Sequence, residues 1–254
     1  VFRLENEKAI INQYGFNNAG MEKVNNRLQQ FGKRSVVGLN IGANKNSLNM
    51  GNDFVKVLTC CAKNIHFATI NISSPNTKKI RDFQKGEKLQ DLLALIVESN
   101  KALSTPLPIF IKISPDLEYN QLEEIVTTVE RYKLAGIIAT NTSTDYKILK
   151  IKNNFSMGGV SGEPLFAKST KILAQLSIIS EGKIPLIGVG GISSGNDAFE
   201  KICAGATAVQ LYSALAFSGP ELLHSILRDL NTLLQNYGFS HISEAIGIKK
   251  YKYV

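Results

Sequence analysis

The sequence predicts an α/β fold of the (β/α)8 TIM barrel type, with about six of the eight βα units evident. Three observations carry this. Short β-branched runs alternate along the chain with amphipathic stretches. The runs are almost continuously apolar, as parallel strands covered by helices must be. Nearly every run ends in polar residues or glycine, and a barrel gathers those ends on one face, where catalytic groups converge. An open doubly wound sheet fits the same element order but would want GxGxxG after its first strand. The stretch GLNIGANKN does not supply it.

Taken in order, the predicted strands are 35–41, 66–72, 109–113, 136–140, 185–189 and 207–212. Between them lie helical patterns at 52–63, 87–103, 119–133, 167–180 and 195–204. A last helix, 219–237, repeats Leu222, Leu223, Ile226, Leu227, Leu230, Leu233 and Leu234 at three- and four-residue spacing. The opening VFRLENEKAI reads as strand or loop. Six strands cannot close an eight-stranded barrel, so an open barrel with a broad apolar edge is expected. A chain of 254 residues suits one domain, 1–254. Its start at Val1 rather than methionine makes a fragment the expectation.

The formal charge is +8, from 29 basic and 21 acidic residues. The lysines are scattered, dense only at Lys249, Lys250 and Lys252. They read as a solvated surface rather than a nucleic-acid stripe. Cys60, Cys61 and Cys203 form no CxxC and no even framework, which suits reduced, mostly buried thiols in an intracellular protein. The histidines lack metal-ligand spacing, so no metal is expected, and His66 in its apolar run reads as core. Asn71-Ile72-Ser73, Asn141-Thr142-Ser143 and Asn154-Phe155-Ser156 match the glycosylation pattern but follow no signal peptide. No apolar run approaches the roughly 18 residues that span a membrane.

Polar groups cluster at the predicted strand ends: Asn40; Asn71, Ser73 and Ser74; Lys112 and Ser114; Asn141 and Thr142; Tyr212 and Ser213. The segment NISSPNT (71–77) is the densest. Turn chemistry accounts for Pro75 and Asn76 but does not require the rest. In LIGVGGISSGN, Gly190 and Gly191 follow a strand and precede a helix, an arrangement that lets backbone N–H groups approach an anion. Gly158–Gly162 (GGVSG) reads as a second close-approach loop. Each feature alone also fits a simple turn or strand end.

Together the residues resemble the dihydroorotate dehydrogenase family. The resemblance rests on INQYGFNNAG (11–20), NISSPNT, IKISPDL, TNTS (140–143), GGVSGEPL (158–165), IGVGGISSG (187–195), AVQLYSAL (208–215) and the tail SEAIG, in order over essentially the whole chain. The YGFNN segment and a serine at 74 point to class 2, the membrane-associated, quinone-using enzymes. The resemblance implies oxidation of dihydroorotate to orotate in pyrimidine biosynthesis, a proton leaving C5 and a hydride leaving C6 for FMN, which passes electrons to a quinone. It assigns Ser74 as the base. A serine hydroxyl is a poor base unless its proton moves on, so a water path and a nearby hydroxyl such as Thr77 or Thr142 are expected. It assigns Asn12, Asn71, Asn76, Asn141 and Thr142 to the substrate. Asn40, Asn71, Lys112, Thr140, Ser161, Gly162, Gly190, Gly191, Tyr212 and Ser213 fall to FMN, with Lys112 near the ring and the last few around the phosphate.

Gln13 stands where class 2 members usually carry arginine. The family also has, ahead of the position of Val1, a helical membrane segment, two strands, a substrate-contacting lysine and the first flavin loops. On that basis peripheral membrane association, at a bacterial or mitochondrial inner membrane, is expected to rest on the upstream segment. Residues 1–254 alone are expected to be soluble, to bind flavin poorly and to turn over little. Competing readings are a class 1-type dihydroorotate or dihydropyrimidine dehydrogenase using fumarate or NAD, a flavin-free phosphate-binding isomerase or aldolase, and an inactive remnant or basic binding protein.

Overall fold

Ile109–Ile113 (IFIKI) sits at the centre of the molecule, with Ile109, Ile111 and Ile113 buried. Around it, a computed structural model describes residues 1–32, 35–77, 79–151 and 157–254. The Asn154-Phe155-Ser156 match lies outside the described residues. In chain order the strands are β1 (Phe2–Leu4), β2 (Ala9–Asn12), β3 (Gly38–Ile41), β4 (Phe67–Asn71), β5 (Ile109–Ile113), β6 (Gly136–Ala139), β7 (Gly159–Gly162), β8 (Leu186–Val189) and β9 (Ala208–Gln210). The helices are α1 (Met21–Phe31), α2 (Met50–Cys61), α3 (Gly86–Lys101), α4 (Tyr119–Arg131), α5 (Phe166–Ile179), α6 (Gly195–Ala204), α7 (Ser213–Ser218) and α8 (Leu222–Tyr237).

All six expected strands form one parallel sheet, ordered β3-β4-β5-β6-β8-β9. The register of β4 on β5 sets Asn71 beside Lys112. Helices α2 to α6 cover this sheet, and Ile70, Ile111, Leu93, Ile125 and Leu173 share one buried cluster. Burying such side chains contributes about 1.5–3 kcal/mol each. Local chemistry sets the helix starts. Asn49 caps α2 by accepting from the Asn52 N–H at 3.1 Å, and Ser194 caps α6 by accepting from Asp197 N–H at 3.1 Å. Glu118 and Gln121 form a reciprocal capping box on α4.

Among the described residues β3 and β9 do not pair, so the barrel is open, as six strands require. The edges are short, four and three residues. His66 is not core. Its Nδ1 accepts from the Val37 N–H at 3.0 Å and so extends the β3–β4 junction. Cys61 and Cys203 are buried free thiols, and Cys60 is partly exposed. No helix among the described residues is long and apolar enough to cross a membrane.

Three elements differ from the sequence expectation. The last expected helix forms as α8 but starts at Leu222 rather than 219, because Gly219, at φ +70°, and Pro220 precede it, and the short α7 ahead of them was not expected. Helix α1 was not signalled, because none of its residues is buried. GGVSG is a strand rather than a loop: β7 pairs with β2, and β2 with β1, in a three-stranded antiparallel sheet. Its glycines are demanded by packing, since a Cβ on Gly162 would strike the Lys8 carbonyl and one on Gly159 the Thr142 hydroxyl.

Candidate active site

The strand-end residues of the parallel sheet and the inner edge of the antiparallel sheet enclose a cavity of about 680 Å³. Lys112 at the end of β5 and Thr140, Asn141 and Thr142 after β6 line it. Asn12 from β2 and Ser161 and Gly162 from β7 close it from the antiparallel side. Gly190, Gly191, Tyr212 and Ser213 line the remaining wall. Tyr212 reaches away into solvent, 85% exposed. The Ser213 hydroxyl donates to Ser161 Oγ at 2.8 Å, tying the start of α7 to β7 at this wall.

Asn40, Asn71, Ser74 and Asn76 do not line the cavity themselves, and hydrogen bonds join them to residues that do. Asn71, buried at the end of β4, donates to Asn40 Oδ1 at 3.1 Å. Its own Oδ1 accepts from the Ser73 hydroxyl at 2.8 Å and from Asn141 Nδ2 at 3.1 Å. Asn141 in turn donates to Ser73 Oγ at 2.9 Å. Asn76 Nδ2 donates to the Asn12 carbonyl at 3.0 Å and to Asn12 Oδ1 at 3.2 Å. Ser74 Oγ, 7% exposed, accepts from the Asn76 N–H at 3.3 Å, which leaves its own proton free to move. Thr77 follows on the same loop. Its hydroxyl is buried and has no hydrogen-bond partner among the described residues.

A network absent from the sequence-based list holds this loop. Arg81, just after it, donates from Nε to the Ser73 carbonyl at 3.0 Å and from Nη2 to the Thr142 carbonyl at 3.1 Å. Its Nη1 pairs with Asp116 at 3.0 Å. Asp116 also receives the Ser143 hydroxyl at 2.6 Å, the Thr144 N–H at 2.9 Å and the Lys168 ammonium at 2.8 Å. Burial pushes the Asp116 carboxyl up. The bonds from Lys168, Ser143 and Thr144 outweigh that and hold it well below the usual carboxylate range. The loops after β4, β5 and β6 are thus pinned to one carboxylate. The signal in the sequence was Asp116 itself, directly after Ser114-Pro115 at a strand end.

Lys112 is the opposite case. It makes no ion pair or hydrogen bond among the described residues, and burial pulls its ammonium down to about 8. An uncompensated cation facing a cavity beside bare glycine backbone fits an electron-rich, phosphorylated ligand, so the residues present suit a flavin. The glycines also have a packing reason. A Cβ on Gly190 would lie 2.7 Å from Ser169 Oγ, and one on Gly191 would lie 2.5 Å from Phe166 on α5. Their φ angles of +120° and +77° suit glycine alone. Gln13 donates to the Met157 carbonyl at 3.1 Å, so it spans strand ends rather than facing the amides.

Comparison with known proteins bears on this geometry directly. The family described as "Dihydroorotate dehydrogenase" matches residues 1–234. The chain is 44% identical over 248 residues to a "Dihydroorotate dehydrogenase (quinone)" of Cereibacter sphaeroides, covering 97% of this chain and 70% of that one. It is 41% identical over 253 residues to a protein of the same name from Rhodopseudomonas palustris, with the same coverage. Among solved structures, ligand-free DHODH from Eimeria tenella superposes with a TM-score of 0.92 at 30% identity, covering 98% of this chain and 76% of that one. The ferulenol complex of that protein gives a TM-score of 0.90 at 29% identity, covering 96% and 72%. Sequence and overall fold agree, and this chain belongs to the dihydroorotate dehydrogenase family.

Proposed function

We propose that this chain oxidises dihydroorotate to orotate at the cavity between its two sheets, with a quinone as final electron acceptor, in pyrimidine biosynthesis. The names of its relatives support the substrate and the acceptor, and nothing in them favours fumarate or NAD. The observation that carries the site assignment is the amide cluster. Asn76 bonds Asn12 and the Ser74 hydroxyl, Asn71 bonds Asn141, and the NISSPNT loop carries one member of each pair.

Amides suit a cyclic ureide carrying a carboxylate, because each offers two donors and an acceptor. Asn12 and Asn141 line the cavity and orient the ring, with Thr142 beside them; Asn71 and Asn76 hold those two in place and supply further contacts. Ser74 takes the C5 proton. A serine hydroxyl is a weak base unless its own proton moves on. The orphaned Thr77 hydroxyl on the same loop supports a relay running through it and water. Lys112 stabilises negative charge that develops in front of it, since its ammonium has no other partner among the described residues.

The family implies a flavin, and the proposal narrows it to FMN. The ring side falls to Lys112, Thr140 and Asn40, and the phosphate side to Ser161, Gly162, Gly190, Gly191, Tyr212 and Ser213. A bound flavin supplies the two-electron oxidant that serine and asparagine side chains cannot. Residues 1–254 act as a single flavin-binding domain.

The test is an anaerobic titration of the purified protein, loaded with FMN, by dihydroorotate, following the flavin's visible absorbance. Bleaching that Ser74→Ala abolishes supports substrate, cofactor and base together. Flavin that binds yet stays oxidised with excess dihydroorotate would sink the substrate assignment.

A further inference from the structure

Lys201 on α6 is wholly buried, at 0% exposure. Lysine is almost never buried this completely without a partner charge. Among the described residues Lys201 pairs with no carboxylate. Its ammonium donates to Ser169 Oγ at 2.5 Å, approaches the Phe166 carbonyl at 3.5 Å and lies 4.8 Å from the Phe166 ring centre. Ser169 Oγ has one hydrogen and two carbonyls in reach, Gly190 at 3.0 Å and Phe166 at 3.1 Å. The Phe166 carbonyl is also approached by the ammonium, so the cation donates to the serine and the serine bridges to the glycine loop. In a trans peptide the C=O and the following N–H point opposite ways. A Gly190 carbonyl held toward α5 turns the Gly191 N–H toward the cavity that Gly191 lines. No hydrogen bond of that N–H occurs among the described residues.

We infer that Lys201 is a positioning residue for the cofactor's phosphate: through Ser169 it fixes the Gly190–Gly191 peptide, and from behind the loop it supplies a positive charge that the bound dianion balances. This rests on the FMN reading above. Burial supports it, because it pulls the Lys201 ammonium down to about 7, partly opposed by Asp197. A phosphate on the far side of the loop raises that value again, so binding above pH 7 takes up a proton.

The other charges around Lys201 are accounted for. Asp197, on its own helix, accepts from Ser193 and Ser194. Glu200 engages Lys249, Lys252 and Tyr253 of the C-terminal segment. On α5, Lys168 is committed to Asp116 and Asp145. Asp229 of α8 abuts Gly195. Strand β8 carries no ionisable residue. Lys8, Lys112 and Glu163 face the cavity from other walls. Lys112 titrates in a neighbouring range, so the readout must separate ring from phosphate.

Riboflavin, which has the ring and no phosphate, makes that separation. The purified protein, stripped of flavin, is titrated with FMN and with riboflavin from pH 6.5 to 9.5. The phosphate's own second ionisation, near pH 6, lies below this range. The FMN-to-riboflavin affinity ratio is expected to fall as pH rises above about 7. In Lys201→Met it is expected to be about tenfold lower at pH 7 and flat with pH, as for loss of one charge-assisted interaction. Ser169→Ala keeps the charge and cuts the link, and should lower the ratio less. A ratio and pH profile in Lys201→Met equal to the parent's would overturn the inference and leave Lys201 a strut. A ratio unchanged in Ser169→Ala would overturn the linkage even if the first variant fails to fold. A parent that binds neither flavin overturns the FMN reading itself, and this inference with it.

Discussion

The two ends of the cavity treat buried charge in opposite ways. At the amide end, Asp116 gathers Arg81, Lys168, Ser143 and Thr144, and Lys168 reaches on to Asp145. At the glycine end and on the cavity wall, Lys201 and Lys112 have no ionic partner among the described residues. The first arrangement stabilises loops before any ligand arrives. The second costs stability in the free protein and recovers it only when a negative group binds. A single fold thus separates rigidity from binding by where it completes its ion pairs.

The largest effect that would sharpen this contrast belongs to Ser74, held by neither charge set. Ser74→Ala should lower turnover by about 10²–10⁴-fold, the usual scale for losing a general base, with flavin affinity unchanged in a binding titration. A loss of flavin binding instead would tie the loop to the cofactor and break the division.

Next is the paired end. Asp116→Ala should cost about 3 kcal/mol in chemical denaturation, because it leaves Arg81 without an ionic partner among the described residues and Lys168 with Asp145 alone. The folded Asp116 carboxyl titrates below its unfolded counterpart. Its contribution is therefore complete above the unfolded value, about 4, and is lost as pH falls further. The stability gap between parent and variant should narrow steadily as pH falls below about 4. A gap as wide at pH 2 as at pH 6 would show that the carboxylate's charge is not what holds the loops.

Lys112→Met should move the other way, gaining about 2 kcal/mol of stability at pH 7 while turnover falls. Its folded value of about 8 lies below the unfolded 10.5, so the burial penalty is full below pH 8 and vanishes as pH climbs past 10.5. The gain should vanish with it. A variant less stable than the parent would mean that Lys112 has a partner and that the contrast is false. Smallest is Asn40→Ala, which removes one amide partner of Asn71 at an exposed edge and should cost about 0.5–1 kcal/mol in thermal unfolding.

Much of this was legible because apolar runs ending in polar residues report parallel strands directly. All six central strands, and the clustering of Asn71, Asn141 and Lys112, followed from that one pattern. The antiparallel sheet did not. Its strands are three or four residues long, and β7 contains two glycines, which read as turn. The paired charges were equally hidden. Arg81 and Asp116 stand 35 positions apart, and Lys201 and Ser169 stand 32 apart. Nothing in either neighbourhood of the sequence announces the partner. A charged residue on a helix reads as solvated, and only the fold shows Lys201 inside.

The β2–β7 pairing ties Ile10 to Ser161 across 151 positions. On a ribosome adding about 5–20 residues per second, the segment bearing Asn12 waits roughly 7–30 s for the strand that seats it. During that wait β3 to β6 can pair with their sequence neighbours, but the cavity lacks both the β7 wall and the later wall of Gly190, Gly191, Tyr212 and Ser213. Assembly of the site is therefore a late event, and a nascent chain arrested before residue 159 would own most of the core and no place to hold a substrate.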